Sequence, residues 1–279
     1  MGMVDSPYSV LKKTPARYRT VHLQQIKEAG GKFAMLTCYD ALTASIFDEA
    51  GIETLLIGDS LGNVVQGQQS TLGVTMDDMI TFSKAVVAGT TRALVVADLP
   101  FGTYEASVEQ AVKSGIRLVK ETGISAVKIE GGVEYAPHIK ALTAAGVAVV
   151  AHTGFTPQSE HVLGGFRVQG READAAEQMV EEAQILQDAG AVMLVMEMVP
   201  AEVASAVDAA LTIPTIGIGA GNGTTGQVLV WQDAFGLNRG RVPSFVKSFA
   251  EVGEVLSDAA KQYREEVLTS AFPDDDHSF

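Results

Sequence analysis

Eight short runs of β-branched and small apolar residues recur along the chain, and every one but the seventh is followed by a segment of helical character. The runs are predicted at 33–38, 54–57, 93–97, 127–130, 148–151, 192–196, 215–218 and 227–231. Helices are predicted over about 41–50, 76–88, 108–122, 135–145, 174–189, 201–211 and 243–268. Strands that alternate with helices form a parallel sheet, and eight such units in about 250 residues predict an α/β fold, a closed (β/α)8 barrel. A doubly wound open sheet is the rival. It carries its glycine-rich loop after the first strand, where this chain has Tyr39-Asp40-Ala41 and no glycine. Gly219 to Gly226 is too short and glycine-rich for a helix, so the seventh unit is predicted to have lost its own. An apolar-patterned helix from Thr20 to Ala29, stopped by Gly30-Gly31, precedes the first strand and is expected to cover the bottom of the barrel. The expected organisation is an N-terminal arm (1–19), a catalytic barrel (20–270) and a C-terminal tail (271–279).

Charge narrows the partners. With 20 basic and 34 acidic residues the net charge is −14, which argues against nucleic acid and anionic membrane. The composition is 47% hydrophobic, yet no run approaches the ~18 apolar residues of a membrane span. That apolar excess is read as surface buried between copies, hence a homo-oligomer. Cys38 is the only cysteine, which excludes an intrachain disulfide and a cysteine zinc site. The polar, proline-containing start lacks the apolar core of a signal peptide, so a cytoplasmic location is expected.

Chemistry is expected at the C-terminal ends of the strands, where barrels of this kind hold their active sites. Those ends carry Asp59-Ser60, Asp98, Lys128 with Glu130, His152 and Glu197. In Val127-Lys128-Ile129-Glu130, alternation puts the two apolar residues on one face and the unlike charges on the other. That charged face suits the inner wall of a barrel mouth, and a plain salt bridge is the simpler alternative. An acid at a strand end is also a common cap for the next helix. Four acids gathered at one rim repel unless something positive sits among them. Oxygen ligands favour a hard divalent cation, with Mg²⁺ the candidate.

Several longer motifs add to this. They are Gly58-Asp59-Ser60-Leu61-Gly62, Ala97-Asp98-Leu99-Pro100-Phe101, Val127 to Gly132 and His152-Thr153-Gly154-Phe155-Thr156-Pro157-Gln158-Ser159. Val168-Gln169-Gly170-Arg171, Ile216 to Gly221 and Asp233-Ala234-Phe235-Gly236 belong with them. From about Thr20 to the C-terminus the chain resembles the ketopantoate hydroxymethyltransferase family.

The resemblance implies a barrel of the phosphoenolpyruvate/pyruvate type, assembled as a decamer (a pentamer of dimers), acting in pantothenate synthesis. It implies Mg²⁺ held by Asp59, Asp98 and Glu130. Asp59, Ser60, Asp98, Lys128 and His152 would line the keto-acid site, with Ser60 and Lys128 on its carboxylate or oxyanion. Glu197 would be the base. The implied reaction moves a one-carbon unit from 5,10-methylenetetrahydrofolate to C3 of 3-methyl-2-oxobutanoate, giving ketopantoate. The chain departs from the family pattern at Gln68, Gln69, Gly73 and Phe155, which bears on loop shape and substrate breadth.

Other readings stand beside these. Glu197 is also placed to cap the helix after Pro200, and Lys128 to be a structural partner of Glu130. His152 reads as pocket wall. The 217–223 glycine loop reads as a tight turn or a phosphate cradle, and residues 155–158 as a lid. For function, a Mg²⁺-dependent 2-oxo acid lyase or mutase of related barrel type needs the same metal-enolate core. A non-catalytic barrel would leave its buried carboxylates a cost without a use.

Overall fold

The structure, a computed structural model, describes residues 10–11, 13–165, 167–170 and 173–279. Residues 1–9 and 12 of the expected arm, and Arg171 of the 168–171 motif, lie outside the described residues. The chain divides into two compact units, one ending at Leu229 and the other running from Val230 to Phe279.

The first unit is a closed parallel barrel. Its strands are β1 (Phe33–Thr37), β2 (Thr54–Ile57), β3 (Leu94–Asp98), β4 (Ala126–Glu130), β5 (Val149–Gly154), β6 (Met193–Glu197), β7 (Thr215–Ile218) and β8 (Gly226–Leu229). Closure comes from β8 pairing with β1, from Phe33 opposite Gly226 to Leu36 opposite Leu229. Helix α1 (Thr20–Glu28) precedes β1, and the helices between strands are α2 (Ala41–Ala50), α3 (Leu61–Val64), α4 (Met76–Gly89), α5 (Val108–Thr122), α6 (Ala136–Ala144), α7 (Glu160–Leu163), α8 (Ala173–Asp188) and α9 (Ala201–Ala210). No helix lies between β7 and β8, as predicted. Local signals set the helix starts. The Asp40 carboxylate accepts from the amides of Leu42 and Thr43 at the start of α2, and Thr75 and Asp78 form a reciprocal cap on α4.

Strand periodicity explains the interior. Leu94 and Val96, Ala126, Val150, and Met193 and Val195 belong to one buried cluster with Phe33, Met35 and Val228. Tyr18 and the α1 residues Leu23 and Ile26 join that cluster, so α1 plugs the bottom of the barrel. Each buried Val, Leu, Ile, Met or Phe of the cluster stabilises by about 1.5–3 kcal/mol. Two residues further along the same inward faces come Asp98, Lys128 then Glu130, His152 and Glu197. The apolar layers end where the charged layer begins, and their burial offsets the cost of holding charges at the rim.

The loop after β2 carries α3 and a turn of 3₁₀ helix over Thr71–Gly73. A side chain at Gly73 would collide with the Gln68 amide, so two departures from the family pattern accommodate one another. The β7–β8 loop is bonded to itself: Gln227 Nε2 donates to Gly221 O and to Thr224 Oγ1, both at 2.8 Å. These two bonds tie the turn to the start of β8.

The second unit holds α10 (Trp231–Ala234) and α11 (Val252–Leu268). Two sequence expectations are corrected here. The eighth strand stops at Leu229, and Trp231 opens α10. The last helix begins at Val252 rather than Pro243. The amides of Phe249, Val252 and Gly253 pair with the carbonyls of Ala234, Phe235 and Gly236, which holds the segment before α11 in a non-helical path. No helix among the described residues is long and apolar enough to cross a membrane.

Candidate active site

All the residues singled out in the sequence meet at the C-terminal rim. Register places Asp98 opposite Lys128, Glu130 opposite His152, and Gly154 opposite Glu197. Asp59 and Ser60 lie just beyond β2, where the chain turns into α3. The Asp59 amide donates to Asp98 Oδ2 at 3.0 Å, which holds the two acids together. Oxygens of Asp59, Asp98 and Glu130 all lie within 4.8 Å of one another.

Lys128 Nζ sits among them, 3.1 Å from Asp98 Oδ1 and 2.9 Å from Glu130 Oε1. It is therefore both a structural partner of Glu130 and a positive charge facing the rim. His152 continues the chain of charges. Its Nδ1 is 3.2 Å from Glu130 Oε1, and its Nε2 is 3.4 Å from Glu197 Oε2. The helix-cap alternatives fail where they mattered. Asp40 does cap a helix, but Glu197 does not cap α9, which starts at Pro200 without a side-chain cap.

The electrostatics follow from burial. Asp59 is pushed well above the usual carboxylate range by burial and by the charges of Asp98 and Glu130. Burial raises Asp98 as well, against the pull of Lys128. Glu130 is the exception. Burial opposes its charge, but Lys128 and His152 hold it ionised. Burial would neutralise Lys128, yet Asp98, Glu130 and Asp59 keep it charged. Burial and Lys128 work against a charged His152, but Glu130 and Glu197 outweigh them and raise it to about 9.

This imbalance is the test of fit for a cation. Burial and mutual repulsion disfavour the charged forms of Asp59 and Asp98, and a divalent cation among them would supply the positive charge those forms lack. Asp59, Asp98 and Glu130 supply an all-oxygen donor set suited to Mg²⁺. The residues fit the ion.

Three residues without an expected role also belong to the site. Tyr39, at the end of β1, pairs its hydroxyl with Ser60 Oγ at 2.8 Å. Gln158 is 6% exposed, and its Nε2 donates to Asp59 Oδ2 at 2.8 Å and to Leu99 O at 3.0 Å. Its backbone amide donates to Glu130 Oε2 at 3.0 Å. Tyr104, 1% exposed, places its hydroxyl 2.5 Å from Gln158 Oε1 and 3.2 Å from Glu130 O. The lid expected at 155–158 is thus packed in: Phe155 is fully buried and its amide donates to Glu197 O at 2.8 Å. Gln158 stood within a quoted motif, whereas nothing local marked Tyr104.

Known proteins resemble this chain over nearly its whole length. Residues 17–275 match the family model described as ketopantoate hydroxymethyltransferase. A protein of Arthrobacter sp. (strain FB24) named 3-methyl-2-oxobutanoate hydroxymethyltransferase is 56% identical, over 98% of this chain and 91% of its own. One of the same name from Corynebacterium efficiens is 56% identical over 94% of this chain and 97% of its own. Among solved structures, 2,3-dimethylmalate lyase, a PEP mutase/isocitrate lyase superfamily member, aligns with a TM-score of 0.58 at 17% identity, covering 93% of this chain and 88% of that one. Phosphonopyruvate hydrolase complexed with oxalate and Mg²⁺ aligns with a TM-score of 0.57 at 13% identity, covering 89% and 98%. Likeness at that identity speaks for the barrel architecture alone. The sequence matches go further, because they run through every strand that feeds the charged rim, and on them the chain belongs to the ketopantoate hydroxymethyltransferase family.

Proposed function

We propose that this rim removes the C3 proton of 3-methyl-2-oxobutanoate and joins that carbon to the one-carbon unit of 5,10-methylenetetrahydrofolate, giving ketopantoate for pantothenate synthesis. The observation that carries the reading is one carboxylate, Glu197, set apart from the acid cluster and linked to it through His152. A base and an ion site held at one rim by the same imidazole suit a small substrate that meets both.

The roles follow from position. Asp59, Asp98 and Glu130 would hold Mg²⁺, which when bound acts as a Lewis acid toward the keto acid's oxygens. Phosphonopyruvate hydrolase, of like fold, is described with Mg²⁺ and oxalate, and oxalate is a small dicarboxylate. Lys128 places positive charge where the keto oxygen gains negative charge. Ser60, oriented by Tyr39, donates to the substrate carboxylate. Glu197 takes the proton as the C3–H bond breaks, and the electron pair moves into the enolate. His152 walls the pocket and holds Glu197 toward C3. C3 then bonds to the one-carbon unit. The balanced transfer consumes one water, whose oxygen becomes the new hydroxyl, and releases tetrahydrofolate.

A lyase acting through a nucleophilic cysteine is disfavoured by Cys38. That thiol is fully buried, and burial raises its pKa. The chain is also proposed to act as a homo-oligomer, a decamer. Leu42 and Ile46, 79% and 62% exposed one turn apart on α2, support association of copies, and light scattering measures its size.

The test is proton exchange in D₂O, followed by NMR at C3. With Mg²⁺ and no folate, the proton exchanges. Chelation stops the exchange, and Glu197→Gln slows it by about 10²–10⁴-fold. Exchange at the wild-type rate in Glu197→Gln overturns the assignment of the base. Adding methylenetetrahydrofolate yields ketopantoate, and any other product overturns the reaction.

A further inference from the structure

Asp59 is the one proposed cation ligand that no strand holds. It lies past the end of β2, with a backbone amide anchored to Asp98 and a carboxylate that must be fixed from the side. Gln158 supplies that fixing contact from the loop after β5. One residue reaches the ends of three neighbouring strands: its side-chain amide meets Asp59 and Leu99 O, and its main-chain amide meets Glu130.

The orientation of the side-chain amide is forced. Both hydrogens of Nε2 are used, on Asp59 Oδ2 and Leu99 O, so Oε1 must accept, and the Tyr104 hydroxyl is there to donate. Every polar group of this buried side chain is satisfied, and a buried amide left unpaired costs about 1–3 kcal/mol. A carboxylate at 158 would face Asp59 and a carbonyl with only Tyr104 as donor. The position therefore calls for a neutral group that donates on one side and accepts on the other.

We propose that Gln158 is a positioning residue that sets the spacing of Asp59 and Glu130, so that the rim holds its cation only when the β5 loop is seated. Tyr104 acts through it, by locking the amide. This rests on the cation reading above, and the experiment separates the two.

The probe is Mn²⁺ alone, titrated into the substrate-free protein and followed by electron paramagnetic resonance of the free ion. In Gln158→Met the Mn²⁺ affinity falls by roughly ten- to a hundredfold, as for partners that orient metal ligands. In Tyr104→Phe it falls in the same direction by less. With saturating Mg²⁺, kcat of both variants returns to within about threefold of wild type, because Lys128 and Glu197 are untouched. The thermal midpoint in chelator falls as well, because Leu99 O and the Tyr104 hydroxyl lose their partner, so the recovery of kcat at saturating Mg²⁺ is the readout that a purely structural role would not give. If the wild type binds no Mn²⁺, the cation reading itself fails. If the wild type binds and Gln158→Met binds equally well, only the inference fails. Should Gln158→Met not fold, unchanged affinity in Tyr104→Phe overturns it.

Discussion

His152 Nε2 lies 3.4 Å from Glu197 Oε2, while the other nitrogen of the same ring faces Glu130. The imidazole thus joins the proposed base to the proposed ion site, which a role as pocket wall does not require. In His152→Gln, C3 exchange and kcat should each fall by roughly 10–100-fold, as for partners that orient reactive groups. Exchange at the wild-type rate would leave the ring as wall only.

Lys128→Met removes the one ammonium among three buried acids. Breaking a buried pair by removing one partner costs about 3–5 kcal/mol, so the thermal midpoint in chelator should drop. Mg²⁺ should restore more stability to this variant than to wild type, because it supplies the missing positive charge. Turnover should remain at least about 100-fold down even with Mg²⁺. Calorimetry with and without chelator, alongside steady-state rates, checks both.

Far from the rim, Asp48 on α2 accepts from the amides of Thr91, Arg92 and Ala93 and from the Thr91 hydroxyl. Burial works against its charge, but these donors prevail and hold its carboxyl below the usual range. A group depressed in the folded state stabilises above its unfolded pKa and stops doing so as pH falls through the folded value. Asp48→Ala should cost about 2–3 kcal/mol at neutral pH without changing C3 exchange per folded molecule. The gap in thermal midpoint between wild type and variant should narrow as pH falls below about 4. A gap independent of pH would show that the carboxylate's charge is not what the amides hold.

Gly154 has φ +87°, and a Cβ there would run into the carbonyl of Glu197 and the side chain of Val199. Gly154→Ala should cost about 1–3 kcal/mol of strain. It should also slow C3 exchange more than it weakens Mn²⁺ binding, since the clash falls on the strand that carries the base. Equal losses in both would point to general disruption of the rim.

The barrel was legible because strand alternation and the helices between strands are local patterns. The inward faces of β3 to β6 could be followed from apolar residues to charged ones by counting in twos. Asp98, His152 and Glu197 stand out in the sequence as residues that end their strands, and alternation within 127–130 pairs Lys128 with Glu130. Gln158, Tyr104 and Tyr39 do not stand out, because their places depend on how loops fold back over the rim. The start of α11 was misjudged for a related reason: Pro243 signals a helix start locally, but the amides after it are claimed by carbonyls of residues 234–236. Long-range backbone pairing of that kind leaves no periodic trace.

The hydrogen bond from the Phe155 amide to Glu197 O carries a constraint on how such barrels can diverge. Between His152 and Gln158 the backbone must reach one neighbour at Glu197 and another at Glu130, so its length is fixed at both ends. An insertion or deletion there would detach either the proton acceptor or the carboxylate cluster. The same constraint does not reach 61–75 or the chain beyond Ser159, so a change of loop length there leaves both carboxylate contacts in place.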